Sequence, residues 1–186
     1  RCMTTITAPA QKQVADTAQQ LHRMGWVANH DGNVSLRLSE GDRFMATPTA
    51  MSKANVQPFH VITVDIAGKV LGGRLGVFSE WHLHAACYRA ATRVRAVLHA
   101  HPPFATAFGL LQRCLGTPRM PEVVVSLGRK IPLIPFAMPK SPEQDVHIEQ
   151  AIGKAGAVAM LLAGNGALTI GADLDQAYLR MELLEH

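Results

Sequence analysis

The sequence predicts an α/β fold: one mixed, largely antiparallel sheet with helices packed on its faces. Two observations carry this. Short apolar stretches closed by tight turns outnumber the strand–helix–strand crossovers that a parallel sheet needs. Segments with an apolar stripe at helical spacing are interspersed among them. A third observation bounds the size. The chain has 186 residues, 48% hydrophobic and 17% charged, with no repeat, linker or low-complexity tract. That suits one globular domain with a sizeable core.

Each element has a local reason. Residues 10–24 form a helix with Val14, Ala18, Leu21 and Met24 on one face and Gly25 placed to cap it. Asp31-Gly32 turns the chain into a strand over 33–38. Residues 44–47 make a second strand, ended by Pro48. Residues 60–65 make a third, which turns at Asp65-Ile66-Ala67-Gly68 into 69–71. A helix then opens with Ser79 as N-cap and Phe78 placed to staple onto Leu83, and runs to about Ala91. Leu83, Cys87 and Ala90 form its apolar stripe. Residues 94–98 read as a buried strand that Pro102 closes, since proline has no N–H for a ladder. A short helix follows over 103–111, with strands over 122–125 and 131–136. Ser141-Pro142-Glu143-Gln144 starts a helix that runs to about Lys154: Ser at the N-cap, Pro at the first position, Gln at the third. Strands over 157–163 and 167–170 are joined by Gly164-Asn165-Gly166, and Asp173 caps a last helix. Residues 1–9 are expected to be flexible or left over from cloning, with Met3 as a candidate native start. The abrupt end at Glu185-His186 leaves room for a missing native tail.

Composition excludes several functions. The net charge is +4 and the pI about 9.2, but Lys and Arg are dispersed and no basic run appears. Nucleic acid is therefore not expected as a partner. No apolar run approaches the ~20 residues of a membrane helix, and the start lacks the apolar core of a signal peptide. Cys2, Cys87 and Cys114 are odd in number and scattered, which fits a reducing cytoplasm better than a disulfide framework.

The residues that carry chemistry are Glu80, His99 and His101. Residues i and i+2 of a strand share a face, roughly 6.6 Å apart at ~3.3 Å per residue. Two imidazoles so placed can converge on one divalent ion. By themselves the pair also fits two histidines on a solvent-facing strand end. Glu80 lies in the first turn of its helix, where it could act on a substrate or merely complement the helix dipole. Gly164-Asn165-Gly166 could be no more than an Asn-Gly hairpin turn.

Five motifs in register resolve these alternatives in one direction. They are Gly32-Asn33-Val34-Ser35-x-Arg37, Thr47-Pro48-Thr49-Ala50, Ser79-Glu80-x-x-x-His84, His99-x-His101-Pro102 and Leu161-Leu162-x-Gly164-Asn165-Gly166-Ala167. Together they resemble the class II aldolase/adducin family of fuculose-phosphate and rhamnulose-phosphate aldolases and ribulose-phosphate 4-epimerase, over residues 10–185. The resemblance implies a three-layer α/β/α fold and a cyclic homotetramer with active sites near subunit interfaces. It places His99 and His101 on two of three zinc-ligand histidines, and Glu80 on the acid/base carboxylate. It puts Asn33, Thr49 and Ser79 in the substrate site. The implied chemistry is aldol cleavage through a metal-bound enediolate, with epimerisation or decarboxylation as uses of the same electron sink. Glu80 would serve best with a pKa raised toward neutrality by burial.

The departures narrow the substrate. Asn165 stands where the family carries its third histidine, and an amide oxygen is a weaker zinc ligand than imidazole. Ala50 replaces the glycine of a Thr-Gly pair, and Phe78 replaces the first of two serines. A tyrosine that some of these aldolases borrow from a neighbouring subunit has no clear counterpart near residues 123–126. The expectation is a zinc-dependent carbon–carbon lyase for a small hydroxylated carbonyl compound other than a standard sugar phosphate. The alternative is a non-catalytic binding protein like the adducin head. Lys53 reads as a solvated loop lysine, and His84 as a structural, hydrogen-bonding histidine.

Overall fold

The computed structural model describes residues 4–39, 42–117, 120–138 and 141–186. Arg1, Cys2 and Met3, discussed above, lie outside the described residues. Eight strands form one sheet: β1 (Asn33–Arg37), β2 (Arg43–Ala46), β3 (Ile62–Asp65), β4 (Val70–Gly72), β5 (Ala96–Ala100), β6 (Leu133–Ile134), β7 (Ala159–Leu162) and β8 (Ala167–Gly171). Their order is β4-β3-β2-β1-β5-β8-β7-β6. Every pairing is antiparallel except β6 with β7. The fold is thus the mixed, largely antiparallel α/β arrangement that was expected.

The helices cover both faces, giving three layers. On one side α1 (Thr4–Arg23) and α6 (Leu174–Glu185) bury Val14, Leu21, Ala177 and Met181 against Val34, Leu98 and Ala167. On the other, α2 (Trp81–Ala90) and α5 (Pro142–Gly153) bury Leu83, Cys87, Ile148 and Ile152 against Val97, Leu168 and Ile170. Alternation along the strands divides these side chains between the two cores. No helix is long and apolar enough to cross a membrane among the described residues.

Two expected elements differ. Residues 122–125 are not a strand but part of helix α4 (Pro121–Leu127), after α3 (Pro103–Leu110). Pro121 at the first helical position favours the helix, which packs against α6. The strand expected over 131–136 shrinks to the two residues of β6. The expected N-cap also moves. Glu80, not Ser79, occupies the N-cap of α2, and no side chain caps that helix. The carboxylate has other partners.

Candidate active site

The site lies where β1, β5, the N-terminus of α2 and the β7–β8 turn meet. The ladder between β1 and β5 sets Asn33 opposite His99, so both side chains leave the same face of the sheet, toward α2. Glu80 enters from the helix mouth above them. Its Oε2 accepts from Asn33 Nδ2 at 3.1 Å, and its Oε1 accepts from Asn165 Nδ2 at 2.8 Å.

His99 is fully buried, which removes the reading of a solvent-facing pair. Its Nε2 lies 2.8 Å from the main-chain oxygen of Asn165, which can only accept, so the proton stands on Nε2. Its Nδ1 is 3.1 Å from Glu80 Oε2. That is ion-pair distance, but the alignment is not that of a hydrogen bond, and Nδ1 is a buried atom without a hydrogen-bond partner. A neutral imidazole would turn a lone pair toward a carboxylate there. Something positive must stand between them: a second proton on His99 or a cation.

His101 repeats the pattern. Its Nδ1 is 3.0 Å from Asp31 Oδ2, which fixes the proton on Nδ1, and its Nε2 is buried without a partner. The two rings are 5.1 Å apart between centroids. Each imidazole is thus held through one nitrogen by an oxygen acceptor and presents the other nitrogen bare. Outer acceptors orient metal-binding histidines in this way. Gly166 allows the approach: a Cβ there would meet Ala100 O and His101 Cδ2, each at 2.3 Å. The donor set fits a divalent ion through two nitrogens, with a carboxylate at hand. Among the described residues no three His, Cys, Asp or Glu side chains form a ligand cluster. Asn165, expected at the place of a third imidazole, turns its side-chain amide to Glu80.

Electrostatics correct one expectation. Burial opposes the charge on Glu80, but the nearby His99 imidazole and the hydrogen bonds from Asn165 and Asn33 outweigh it. They hold the carboxyl well below the usual carboxylate range rather than raising it toward neutrality. For His99, burial favours the neutral form, yet the adjacent Glu80 carboxylate raises its pKa. Glu80 and His99 behave as one coupled pair.

Behind Glu80 a buried chain of side chains has a fixed direction. Tyr88 OH lies 2.7 Å from Ser35 Oγ, which lies 2.6 Å from His84 Nδ1. His84 Nε2 lies 2.6 Å from Asn33 Oδ1. Asn33 uses its NH2 for Glu80, so its oxygen accepts from His84 Nε2–H. That leaves His84 Nδ1 to accept from Ser35, and Ser35 to accept from Tyr88. Burial, with the nearby His99, pushes His84 down to about 3, so it stays neutral. The structural role expected of His84 is the one it has. Ser35 and Tyr88 were not singled out from sequence, although the signal was there. Glu80, His84 and Tyr88 fall four apart on one helical face, opposite Asn33 and Ser35 two apart on a strand.

Lys53 is not a solvated loop residue. It is 2% exposed, and its Nζ donates to His30 O at 2.9 Å and Met51 O at 3.1 Å. Burial lowers its pKa to about 8, partly offset by Asp31 and Glu80.

Thr49 and Ser79 were expected at the substrate, and Phe78 and Ala50 as departures from a phosphate site. Thr49 and Ser79 are both exposed, and the Thr49 N–H is used by Gly76 O at 2.9 Å. Phe78 is buried, with its ring 5.9 Å from Trp81 and 5.0 Å from His84. Ala50 takes φ +54, so the loop keeps a glycine-like turn with an alanine in it. That conformation costs roughly 1–2 kcal/mol for an L-residue. A cavity of about 240 Å³ adjoins Glu80, Ser79 and Asn165. Two larger hollows, of about 810 and 570 Å³, lie along α6 and reach none of Glu80, His99, His101 or Asn165.

Residues 12–186 match the Class II Aldolase and Adducin N-terminal domain. The chain belongs to the class II aldolase and adducin family. Among its relatives is an L-fuculose phosphate aldolase of Escherichia coli O6:H1. The two are 30% identical over 167 residues, 89% of this chain and 74% of the aldolase. A 3-oxo-tetronate 4-phosphate decarboxylase of Escherichia coli K12 is 32% identical over 181 residues, 94% of this chain and 82% of the decarboxylase. Among solved structures, Escherichia coli YgbL superposes with a TM-score of 0.84 at 29% identity, covering 97% of this chain and 87% of YgbL. The class II aldolase fold and the enzymatic character of these relatives agree with the polar corner around Glu80.

Proposed function

We propose that this chain is a metal-dependent carbon–carbon lyase acting on a small hydroxylated carbonyl compound. His99 and His101 hold zinc or another divalent ion, Asn165 supplies a weak oxygen ligand or leaves its place to water, and Glu80 moves the proton. The observation that carries the reading is the pair of bare, buried ring nitrogens beside an ionised carboxylate. When bound, the ion supplies Lewis acidity that draws charge from the substrate's oxygens. Glu80 meets the substrate as a carboxylate, so it takes up a proton before it gives one back. Asn33 and Asn165 hold that carboxylate, one on each oxygen. Asn33, Thr49 and Ser79 form the substrate rim. The substrate is unphosphorylated, because Phe78 is turned inward and the Thr49 N–H is already used. A homotetramer with its sites near subunit interfaces, in the cytoplasm, completes the reading.

Metal analysis of protein purified without added metal tests it. One divalent ion per chain is expected, lost in the His99→Ala/His101→Ala double variant; unchanged content in that variant would refute the site. Asn165→His should restore a three-histidine site and tighten zinc about tenfold, which is about 1.4 kcal/mol. The substrate screen includes aldols, hydroxy acids, a 3-oxo acid and sugar phosphates, because both named relatives act on phosphate esters. Turnover of a sugar phosphate alone removes the substrate assignment. No turnover of any of these by metal-loaded protein leaves the adducin-head-like binding protein.

A further inference from the structure

The start of α5 carries an amide with nothing to bond. Ser141 caps the helix by accepting from Glu143 N, and the Ser141 N–H itself goes to Met138 O at 2.9 Å. In a capping box the residue at the third position, here Gln144, would turn back to the N-cap N–H. That N–H is already used, so Gln144 is released. It is 5% exposed, and its amide has no hydrogen-bond partner among the described residues. Neither amide atom is sealed from solvent, so the group keeps an opening through which it can bond.

The side chain lines the cavity of about 240 Å³ beside Glu80. Ser79, with its free hydroxyl, and Asn165 line the same cavity, and Phe136 closes one wall. His82 also lines it, but its Nδ1 is held by Asp145 at 2.7 Å. No Lys or Arg is among the described lining residues. The hollow is smaller than the ~300–1,000 Å³ of drug-sized sites. With Gln144, Ser79 and Asn165 in its polar lining, it suits a short chain bearing hydroxyls, each able to give and take a hydrogen bond as an amide does.

We infer that this cavity binds the hydroxylated tail of the substrate and that Gln144 is the residue that selects for it. The inference rests on the reading of Glu80 as the group that acts on the substrate, and it adds which compounds fit: those whose far end carries neutral hydroxyls.

Two probes separate tail from head. Threonate and 2-hydroxybutyrate share a 2-hydroxycarboxylate head and a four-carbon chain, and differ by two hydroxyls on the tail. Calorimetric titration of the zinc-loaded protein should show threonate binding about tenfold tighter. Gln144→Leu should erase that ratio while leaving 2-hydroxybutyrate within twofold of wild type. Gln144→Met, unbranched and of similar length, repeats the test should the leucine variant fail to fold. The side-chain amide signals of Gln144 are followed by NMR in the same titrations, with and without zinc. A threonate-induced shift in both conditions supports the tail site even where zinc binding, and with it the lyase reading, fails. An unchanged threonate preference in either folded variant, or no preference in the wild type, overturns the assignment. So does the absence of any shift.

Discussion

The corner around Glu80 and the end formed by α3, α4 and α6 are built on opposite plans. At the corner, polar side chains lie in the core: Asn33, Ser35 and His84 bond in one chain, and with His99 they are at most 3% exposed. At the other end, apolar side chains stand in solvent, with Phe104 72%, Val125 86% and Leu179 58% exposed. A buried polar group is held by its partners and is costly to move. An exposed apolar group is held by nothing in its own chain, and clusters of them mark contact surfaces. The first plan fixes geometry, as a site for chemistry requires. The second leaves area to be covered, as the proposed homotetramer requires.

Substitutions at the two ends should separate accordingly. The largest effect belongs to Glu80→Gln, which keeps the shape and removes the carboxylate. Turnover should fall roughly 10²–10⁴-fold with bound metal retained, read by steady-state kinetics and metal analysis. Loss of metal together with turnover would make Glu80 a ligand first. Next is His84→Leu, which strands the Asn33 oxygen and the Ser35 hydroxyl in the core. Urea unfolding should show a loss of about 3 kcal/mol, from ~1–3 for each stranded group.

A more gradual effect, spread over several pH units, appears in acid. The unfolded chain protonates His84 near 6.5, while the folded chain refuses that proton until about 3. The unfolded state therefore binds more protons in this window, and stability falls as pH drops from 6.5 toward 3. The contribution of this one group is about 1.4 kcal/mol per pH unit. His84→Gln, which can still donate to Asn33 and accept from Ser35, should show a slope shallower by that one proton. Equal slopes in the two proteins would place the titration elsewhere. The smallest effect on folding is at the apolar end. Val125→Glu should change stability by no more than about 0.5 kcal/mol. Its sedimentation should nevertheless report a lower mass if that end is an interface. An unchanged mass would detach Val125 from any interface.

Much of the fold was legible because it rests on local signals. The Asp31-Gly32 turn, the Ser141-Pro142 and Asp173 helix starts and the alternating strands all act within a few residues. The run Val123-Val124-Val125 misled because its β-branched residues suit a strand, whereas the Pro121 start and packing against α6 make it a helix. At the site, Glu80, His99, His101, Asn33 and Asn165 were singled out from sequence, and the structure gathers them at one corner. Lys53 was misread because nothing local announces that a loop lysine will be packed under two backbone carbonyls.

Sequence alone determined which chemistry-bearing residues exist and the period that points each to one face of its element. It also set the family register that relates residue 80 to residues 99 and 165. Tertiary structure decided what each of these groups feels. The ladder that sets Asn33 opposite His99 brings a carboxylate, two amides and an imidazole together. Their mutual charges and hydrogen bonds reverse the pKa shift that burial by itself would give Glu80. A proton's affinity and an amide's partner depend on everything within a few ångströms, and most of that comes from residues distant in the chain.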